Sequence, residues 1–334
     1  MAAKKYPGID NFRLPAAFMV IAIHTAPFSV WNDTADFLLT YCLGRVAVPF
    51  FLMVTGCFVL APYVKSGFKR KRHFCQYLIR NGLLYLLLSL LYLPLSWYGG
   101  NLPDGFSVFL RDLFFDGTFY HLWYFPAMLT GCVLVALLMR VSERAAYLLT
   151  AVFYVIGLLG DSYFGLIENV SRLKPVYGFL FSVSSYTRNG IFFAPAFLVL
   201  GMLCAKPECR CPRWMSIGGL AGSLIFLLTE GYLTFFFKLQ RHNSMYLFLI
   251  PVMYFLFQLL MKSGKRTYPL CKSSAMIVYI IHPGVIVLVR GFAKITKLTG
   301  LLVENTFIHF LAVCMISFGL AAGISLMKQR KRRA

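Results

Sequence analysis

The sequence predicts an all-α fold, a polytopic membrane bundle of about ten transmembrane helices. Apolar residues make up 59% of the chain and charged residues only 13%, which is typical of a membrane protein. Apolar runs near the ~20 residues needed to cross a hydrocarbon core recur along its whole length. No polar segment is long enough to hold a separate core, so residues 1–334 are expected to form a single integral domain. Residues 328–334 are expected to form a basic cytoplasmic tail.

The apolar runs define ten predicted spans, separated by short polar connections. They cover residues 14–31, 37–61, 77–97, 121–139, 145–160, 191–205, 214–237, 244–261, 273–289 and 302–327. In the second span, Pro49 and Gly56 indicate a kinked helix that packs closely against a neighbour. The segment 98–120 is too polar to cross, and it is predicted to be a loop with a short helix at the interface.

The positive charges indicate how the bundle is oriented. A net charge of +21 would suggest a nucleic-acid partner in a soluble chain, but here the Lys and Arg residues lie in short clusters between apolar spans. With the N-terminus in the cytoplasm, about 23 of the 33 Lys and Arg residues fall on the cytoplasmic side, as the positive-inside rule requires. We therefore expect both termini in the cytoplasm, a cell-membrane location, lipid contacts and no nucleic acid.

The first span carries the most informative pair of polar residues, Arg13 and His24. Eleven residues are about three helical turns, so the two side chains share one face, roughly 16 Å apart along the axis. Asp10, three residues before Arg13, can pair with it at the helix entrance. The imidazole is expected about half a bilayer further in, where a titratable ring is costly and is a functional candidate by default.

Two further histidines are candidate site residues. Tyr279 and His282, three residues apart in YIIHP, share a helix face next to Pro283. A kinked, polar-lined helix at this point would serve either catalysis or the passage of a substrate. His121 and Trp123 lie at a predicted interface, where aromatic anchoring is the competing explanation. For His24 itself, the competing explanation is a structural hydrogen bond to another helix.

The nine cysteines offer no metal site. Only Cys209 and Cys211 form a close pair, and this C-x-C in a basic loop lacks the further ligands that a zinc site requires. We expect no metal.

An ordered set of motifs resembles a known family. It comprises Arg13-x10-His24, the run FFLMVTGCF in the second span, basic residues ending in Arg80 before the third, HLWYF at the fourth, and VYIIHP in the ninth. In this order the motifs resemble the acyltransferase 3 family over essentially the whole chain. Within that family, four stretches look like the membrane half of the vancomycin-resistance membrane serine racemases: DGTFYHLWYFPA (116–127), SYTRNG (185–190), QRHNSMYLFLIP (240–251) and YIIHP (279–283). Those proteins continue into a pyridoxal-phosphate-dependent racemase domain, and this chain reaches Ala334 without one, so racemase activity is not expected here.

The resemblance implies transfer of an acyl group, acetyl as the expected case, from cytoplasmic acyl-CoA to a hydroxyl or amine acceptor such as an envelope glycan. A thioester is already activated, so the protein must chiefly remove the acceptor's proton, and imidazole suits that task. His24 would be the general base, or alternatively the nucleophile that carries the acyl group. Arg13 would keep the imidazole's surroundings polar or bind the donor, and Asp10 would orient Arg13.

The donor's phosphates are expected to meet a basic cluster before and within the third span. Guanidinium and ammonium groups form charge-assisted bonds to phosphate. The competing explanation for the run is a topology signal with lipid contacts. The cluster consists of Lys69, Arg70, Lys71, Arg72 and Arg80.

A second hypothesis is a transport module for L-serine or another small amino acid, with a racemase domain or protein as partner. Arg45, Glu230 and the Arg188 of SYTRNG would coordinate the carboxylate and ammonium of such a substrate. An ion pair between helices that merely holds the bundle together is the competing explanation for Arg45 and Glu230. No inverted repeat is visible, and many transporters have one, so we favour the enzyme.

Overall fold

The computed structural model describes residues 6–331, and within that range it contains helices and no strand. Twelve helices are numbered here in chain order. They are α1 (Pro7–Thr25), α2 (Asp33–Lys65), α3 (Lys71–Tyr98), α4 (Phe106–Arg111), α5 (Tyr124–Val141), α6 (Glu143–Leu159), α7 (Lys174–Val183), α8 (Ala194–Ala205), α9 (Arg213–Phe236), α10 (Leu249–Lys262), α11 (Pro269–Ile295) and α12 (Thr306–Lys331). The predicted all-α fold is confirmed.

Six of the described helices are long and apolar enough to cross a membrane: α2, α3, α5, α9, α11 and α12. The helices α8 and α10 are apolar but shorter. Each of the ten predicted spans overlaps a helix, and the chain is an integral membrane protein with several crossings. The count of ten and the cytoplasmic placement of both termini stay predictions.

The first helix is shifted toward the N-terminus relative to its predicted span. It begins at Pro7, whose fixed φ suits the first helical position, and it ends at Thr25 rather than near residue 31. Ala26 caps the helix with a left-handed φ of 47°, and its N–H donates to the carbonyl of Ala22. The following Pro27 disfavours continuation of the helix through Ala26. His24 therefore lies in the last turn of α1, about 26 Å along the axis from Pro7. Its position about 16 Å beyond Arg13 along the axis is unchanged, and its depth in a membrane stays a prediction.

The second helix is irregular, with π-helical turns at Phe37–Leu43 and Gly56–Leu60 and a 3-10 turn at Gly44–Val46. A π-helical turn spans Gly56–Leu60, where a neighbouring backbone comes very close. A Cβ built on Gly56 would overlap the carbonyl oxygen of Leu198 in α8, and one on Gly201 would overlap the backbone of Met53. The sequence-based expectation that Gly56 allows close packing is confirmed.

The chain divides into two compact units. Unit 1 consists of the described parts of 1–50, 211–232 and 251–334, and unit 2 of 51–210 and 233–250. In unit 1, α1 packs on α11 and α12 through small and branched apolar side chains, among them Ala17, Val278 and Val313. In unit 2, α5 packs against α6 and α8. The single integral domain stays a prediction.

The polar connections contain two short helices. The first, α4, continues through a π-helical turn at Asp112–Asp116, so the predicted short helix between residues 98 and 120 is present. The second, α7, lies in a segment that the sequence predicts as a loop. The predicted basic tail continues α12 to Lys331, and residues 332–334 lie outside the described range.

Candidate functional site

The entrance of α1 in unit 1 is held by charged and polar contacts around Asp10. The Asp10 carboxylate pairs with Arg13 Nε at 3.4 Å and with Lys272 Nζ at 3.0 Å. The next residue, Asn11, donates to the carbonyl of Arg266 and accepts from the backbone N–H of Tyr268. The expected Asp10–Arg13 pair is present, and Lys272 at the start of α11 is a partner that sequence reasoning missed. These contacts fix α1 to the connection between α10 and α11.

The far end of α1 places His24 against a second histidine. The rings of His24 and His282 stack, with centroids 5.5 Å apart and planes 20° from parallel. His282 is fully buried in the middle of α11, whereas His24 is half-buried. Spacing alone could not predict this contact, because it depends on how α1 packs against α11.

The tautomer of His282 follows from its hydrogen bond. Nδ1 lies 2.8 Å from the backbone carbonyl oxygen of Tyr279, and a carbonyl oxygen only accepts, so Nδ1 carries a proton. In the neutral ring Nε2 is then the acceptor. The Tyr279 ring lies 6.1 Å from the His282 ring, so the predicted shared face of these two residues is present.

Arg45 and Glu230 lie where α2 packs against α9 in unit 1. A Cβ built on Gly231 would overlap the sulfur of Cys42, so the two helices come close at that level. Arg45 is half-buried, with its guanidinium 5.6 Å from the Tyr41 ring, and Glu230 is buried. The ion-pair and substrate-site explanations for these residues both stay open.

In unit 2, Arg188 and Trp123 lie together. The Arg188 guanidinium is 5.1 Å from the Trp123 ring and 4.3 Å from the Tyr186 ring, and Nη1 donates to Ser244 Oγ at 3.3 Å. Two anchors fix the surrounding SYTRNG segment. Asp116 accepts from the Ser184 hydroxyl and the Ser185 backbone, and Asn189 Oδ1 accepts from the N–H groups of Ile191 and Phe192.

His121 is packed among aromatic rings in unit 2 and is only 1% exposed. Its ring lies 4.9 Å from that of Tyr92 and 5.6 Å from those of Phe119 and Tyr120. Trp123 is also buried. Neither side chain has the exposed position that interfacial anchoring would require, and both are enclosed by protein.

The predicted basic cluster is exposed. Lys69, Arg70, Lys71, Arg72 and Arg80 all lie on the surface of the turn into α3 or on α3 itself. Of these five, only Arg70 lines a cavity of about 830 Å³ in unit 2. Sequence reasoning missed the other charged residues of this wall, Lys65, Lys206, Glu143 and Glu208.

Within the described range, no group of three or more His, Cys, Asp and Glu side chains is placed to hold a metal ion.

The fold and these sites define a multi-pass, all-helical membrane protein with titratable side chains packed between its helices. A family model described as an acyltransferase domain, Acyl_transf_3, matches residues 6–326, and the chain belongs to this family. The resemblance read from the motifs is confirmed.

The chain is also similar to proteins with racemase names. Two amino-acid racemases of Enterococcus faecalis are 36% and 37% identical to it, each over 97% of this chain, and a serine/alanine racemase of Enterococcus gallinarum is 38% identical over 94%. The chain spans about half the length of these relatives, 45%, 47% and 45% respectively. No solved structure matches it.

Proposed function

We propose that this chain is a membrane acyltransferase that moves an acyl group, acetyl as the expected case, from cytoplasmic acyl-CoA to a hydroxyl or amine acceptor. Family membership supports the reaction class. The observation that carries the assignment of the site is the stacked pair of His24 and His282, one half-buried and the other fully buried. Such rings within a membrane bundle are costly to keep unless they handle a proton or a charge.

In the proposed reaction, His24 removes the proton from the acceptor hydroxyl or amine as that group attacks the thioester carbon. The C–S bond then breaks, the new ester or amide forms, and the departing thiolate takes the proton from the His24 imidazolium, which gives free CoA and restores the neutral ring. A base at this position contributes on the order of 10²–10⁴ in rate. The alternative, in which His24 carries the acyl group covalently, uses the same ring.

The other residues position His24. His282 stacks on its ring, and the hydrogen bond to Tyr279 fixes the orientation of His282. At the opposite end of α1, Asp10 holds Arg13 and ties the helix to Lys272. Arg13 and His24 are about 16 Å apart along the axis. Arg13 therefore pairs with the Asp10 carboxylate at the helix entrance and does not touch the His24 ring.

The test is release of free CoA from acetyl-CoA by purified protein in lipid nanodiscs. We expect His24→Ala to lower the rate at least a hundredfold. His309→Ala is the control, because His309 is a histidine of unit 1 that the proposed reaction does not use. Equal rates for wild type and His24→Ala would remove His24 from the mechanism.

A second candidate function is transport of a small amino acid such as L-serine. It is favoured by the name of one relative, a serine/alanine racemase, which would require such a substrate. Arg45, Glu230 and Arg188 would then contact its carboxylate and ammonium groups. Uptake of labelled L-serine into sealed vesicles without acyl-CoA separates the two functions. Uptake that persists there and is lost in Arg188→Gln favours transport, with a racemase domain or protein as partner.

A further inference from the structure

A groove of about 760 Å³ runs between α3 and α5 in unit 2. One wall is a face of α3 that includes Leu78, Gly82 and Leu86, and the other is a face of α5 that extends from Pro126 to Leu137. Residues three or four apart lie on one side of a helix, so each wall is a continuous stripe. From Pro126 to Leu137 the axis of α5 rises about 16 Å.

The end of the groove near Pro126 is bounded by two other segments of unit 2. Residues 113–115 come from the π-helical turn after α4, and residues 190–191 follow the SYTRNG segment. A Cβ built on Gly190 would overlap the hydroxyl oxygen of Thr130, so the second segment lies directly against α5. The groove is therefore a defined, elongated depression rather than a gap along the whole helix pair.

The side chains that line the groove in the described part of the chain present no unpaired polar group to it. None of them is charged. Tyr85 donates its hydroxyl proton to the carbonyl of Leu113 at 3.0 Å, and Thr130 donates to the carbonyl of Pro126 at 2.6 Å. An ordered water needs about two to four hydrogen-bond partners, so the groove favours an apolar occupant over water.

The groove opens on a surface that is suited to lipid. Both of its walls belong to helices that are long and apolar enough to cross a membrane. Leu86, Val133 and Leu137 are 49%, 43% and 53% exposed, so the groove is open along this side. A crossing helix exposes such a surface to the hydrocarbon core of the bilayer. Hydrocarbon chains are therefore the molecules that the opening meets.

The dimensions of the groove favour one hydrocarbon chain over a helix. A hydrocarbon core about 30 Å thick gives the chains of one leaflet a length of about 15 Å, close to the rise of α5 along the groove. A helix at least 10 Å across would fill roughly 1,300 Å³ over the same length. The groove of about 760 Å³ is too small to seat a whole helix from a second copy of the chain.

We propose that this groove holds one acyl chain of a membrane phospholipid, which packs between α3 and α5 and stabilises their association. Gly82 contributes no side chain to the wall, and nothing lies within 4 Å of a Cβ built on it. An acyl chain in this space supplies dispersion contacts that an empty space lacks. No residue of the groove belongs to the proposed catalytic site, so the proposal stands independently of the proposed function.

The test is native mass spectrometry of the full chain after transfer from phosphatidylcholine nanodiscs into a mild detergent. We expect wild type to retain one phosphatidylcholine molecule. Gly82→Phe places a ring in the groove without a clash at its Cβ, and it should lose this lipid. Gly218→Phe is the matched control, because Gly218 is an exposed glycine of α9 with equally open surroundings outside the groove. It should retain the lipid. Retention by Gly82→Phe, or no retained lipid in wild type, would overturn the proposal.

A photoactivatable lipid locates the bound chain. Phosphatidylcholine with a diazirine on one acyl chain is crosslinked to the protein in nanodiscs, and the modified peptides are identified. We expect modification of residues 126–137 to fall severalfold in Gly82→Phe. Modification at Leu90 and Leu91, which are exposed on α3 and do not line the groove, should stay at the wild-type level. An unchanged pattern in Gly82→Phe would contradict a specific site.

A second variant fills the groove from the opposite wall, so the proposal stays testable if Gly82→Phe does not fold. Val133→Trp adds a large ring at an exposed position of α5. A ligand that binds only the folded state raises the melting temperature. Phosphatidylcholine returned to delipidated protein should therefore stabilise wild type and Gly218→Phe more than Val133→Trp. Equal increases in all three proteins would overturn the proposal.

A second copy of the chain is the other occupant to be tested. The same mass spectra report the number of chains in each particle. If wild type is a dimer and Gly82→Phe is a monomer that keeps its lipid, the groove is an interface between chains and the proposal is overturned.

Discussion

The imidazole of His24, in the last turn of α1, stacks on the imidazole of His282 in the middle of α11, with ring centroids 5.5 Å apart. The two residues are 258 positions apart in the chain. Their contact depends on the packing of α1 against α11 through Ala17, Ile21 and Val278. The proposed function depends on this contact because it sets the position and surroundings of the proposed base.

If His282 positions His24 by ring stacking, a flat ring should replace it better than a methyl group. We expect His282→Phe to retain CoA release within about tenfold of wild type, and His282→Ala to lose considerably more, since it leaves a cavity beside His24. The measurement is kcat for CoA release, with the melting temperature of each variant as a check on folding. If kcat for CoA release falls equally in both variants, stacking does not explain the role of His282, and its ring nitrogens would take part directly in proton transfer.

Asp10 is expected to matter for the entrance of α1. Asp10→Asn removes the charge that pairs with both Arg13 and Lys272, so the free energy of unfolding should fall by about 1 kcal/mol, the upper range for partly exposed pairs. Lys272→Gln breaks only one pair and should cost less. Thermal unfolding in detergent measures the stability of both variants. A larger loss of stability in Lys272→Gln than in Asp10→Asn would contradict the interpretation that Asp10 holds both ion pairs.

The close approach of α2 and α8 predicts that a methyl group added at Gly56 destabilises the protein. Gly56→Ala forces a Cβ into the carbonyl of Leu198 and should destabilise the protein by about 1–3 kcal/mol. Gly82→Ala is the control, since nothing lies within 4 Å of its added methyl group and alanine is the better helix former. Gly82→Ala should be neutral or slightly stabilising. Thermal unfolding that ranks the two variants in the opposite order would contradict the packing.

The Glu143–Lys206 pair predicts a small pH dependence of stability. The hydrogen bond from Lys206 lowers the pKa of the Glu143 carboxyl. A lowered pKa in the folded state contributes stability above the unfolded value of about 4.3, and that stability is lost as the pH falls through the lowered pKa. Both side chains are well exposed, Lys206 at 36% and Glu143 at 52%, so the contribution is under about 1 kcal/mol. Wild type should melt slightly above Glu143→Gln at pH 7, and the difference should vanish in acid.

Much of the fold could be predicted from the sequence because hydrophobic patterning determines where membrane helices lie. The ion pair of Asp10 and Arg13 could also be predicted, because residues three apart lie on the same face of a helix. The predicted end of α1 near residue 31 is wrong, because the apolar run continues past Pro27 whereas that proline disfavours helical geometry in the residue before it.

The parts of the site that could not be predicted depend on contacts between distant segments. Helical periodicity gives the face on which His282 lies, but it does not identify the residue opposite that face. Lys65 and Lys206 are unremarkable members of basic connections in the sequence, and only the fold brings both to one cavity with Arg70. The burial of His121 also could not be predicted. Its position in the sequence is typical of an interfacial residue, but the fold encloses it in aromatic rings.

The most direct test of the central claim is chemical rescue of His24→Ala. CoA release by this variant is measured in lipid nanodiscs with and without free imidazole, which can enter the space left beside the His282 ring. We predict that the variant is nearly inactive alone and recovers part of its rate as imidazole is added, while wild type does not respond. CoA release at the wild-type rate without imidazole would contradict the account.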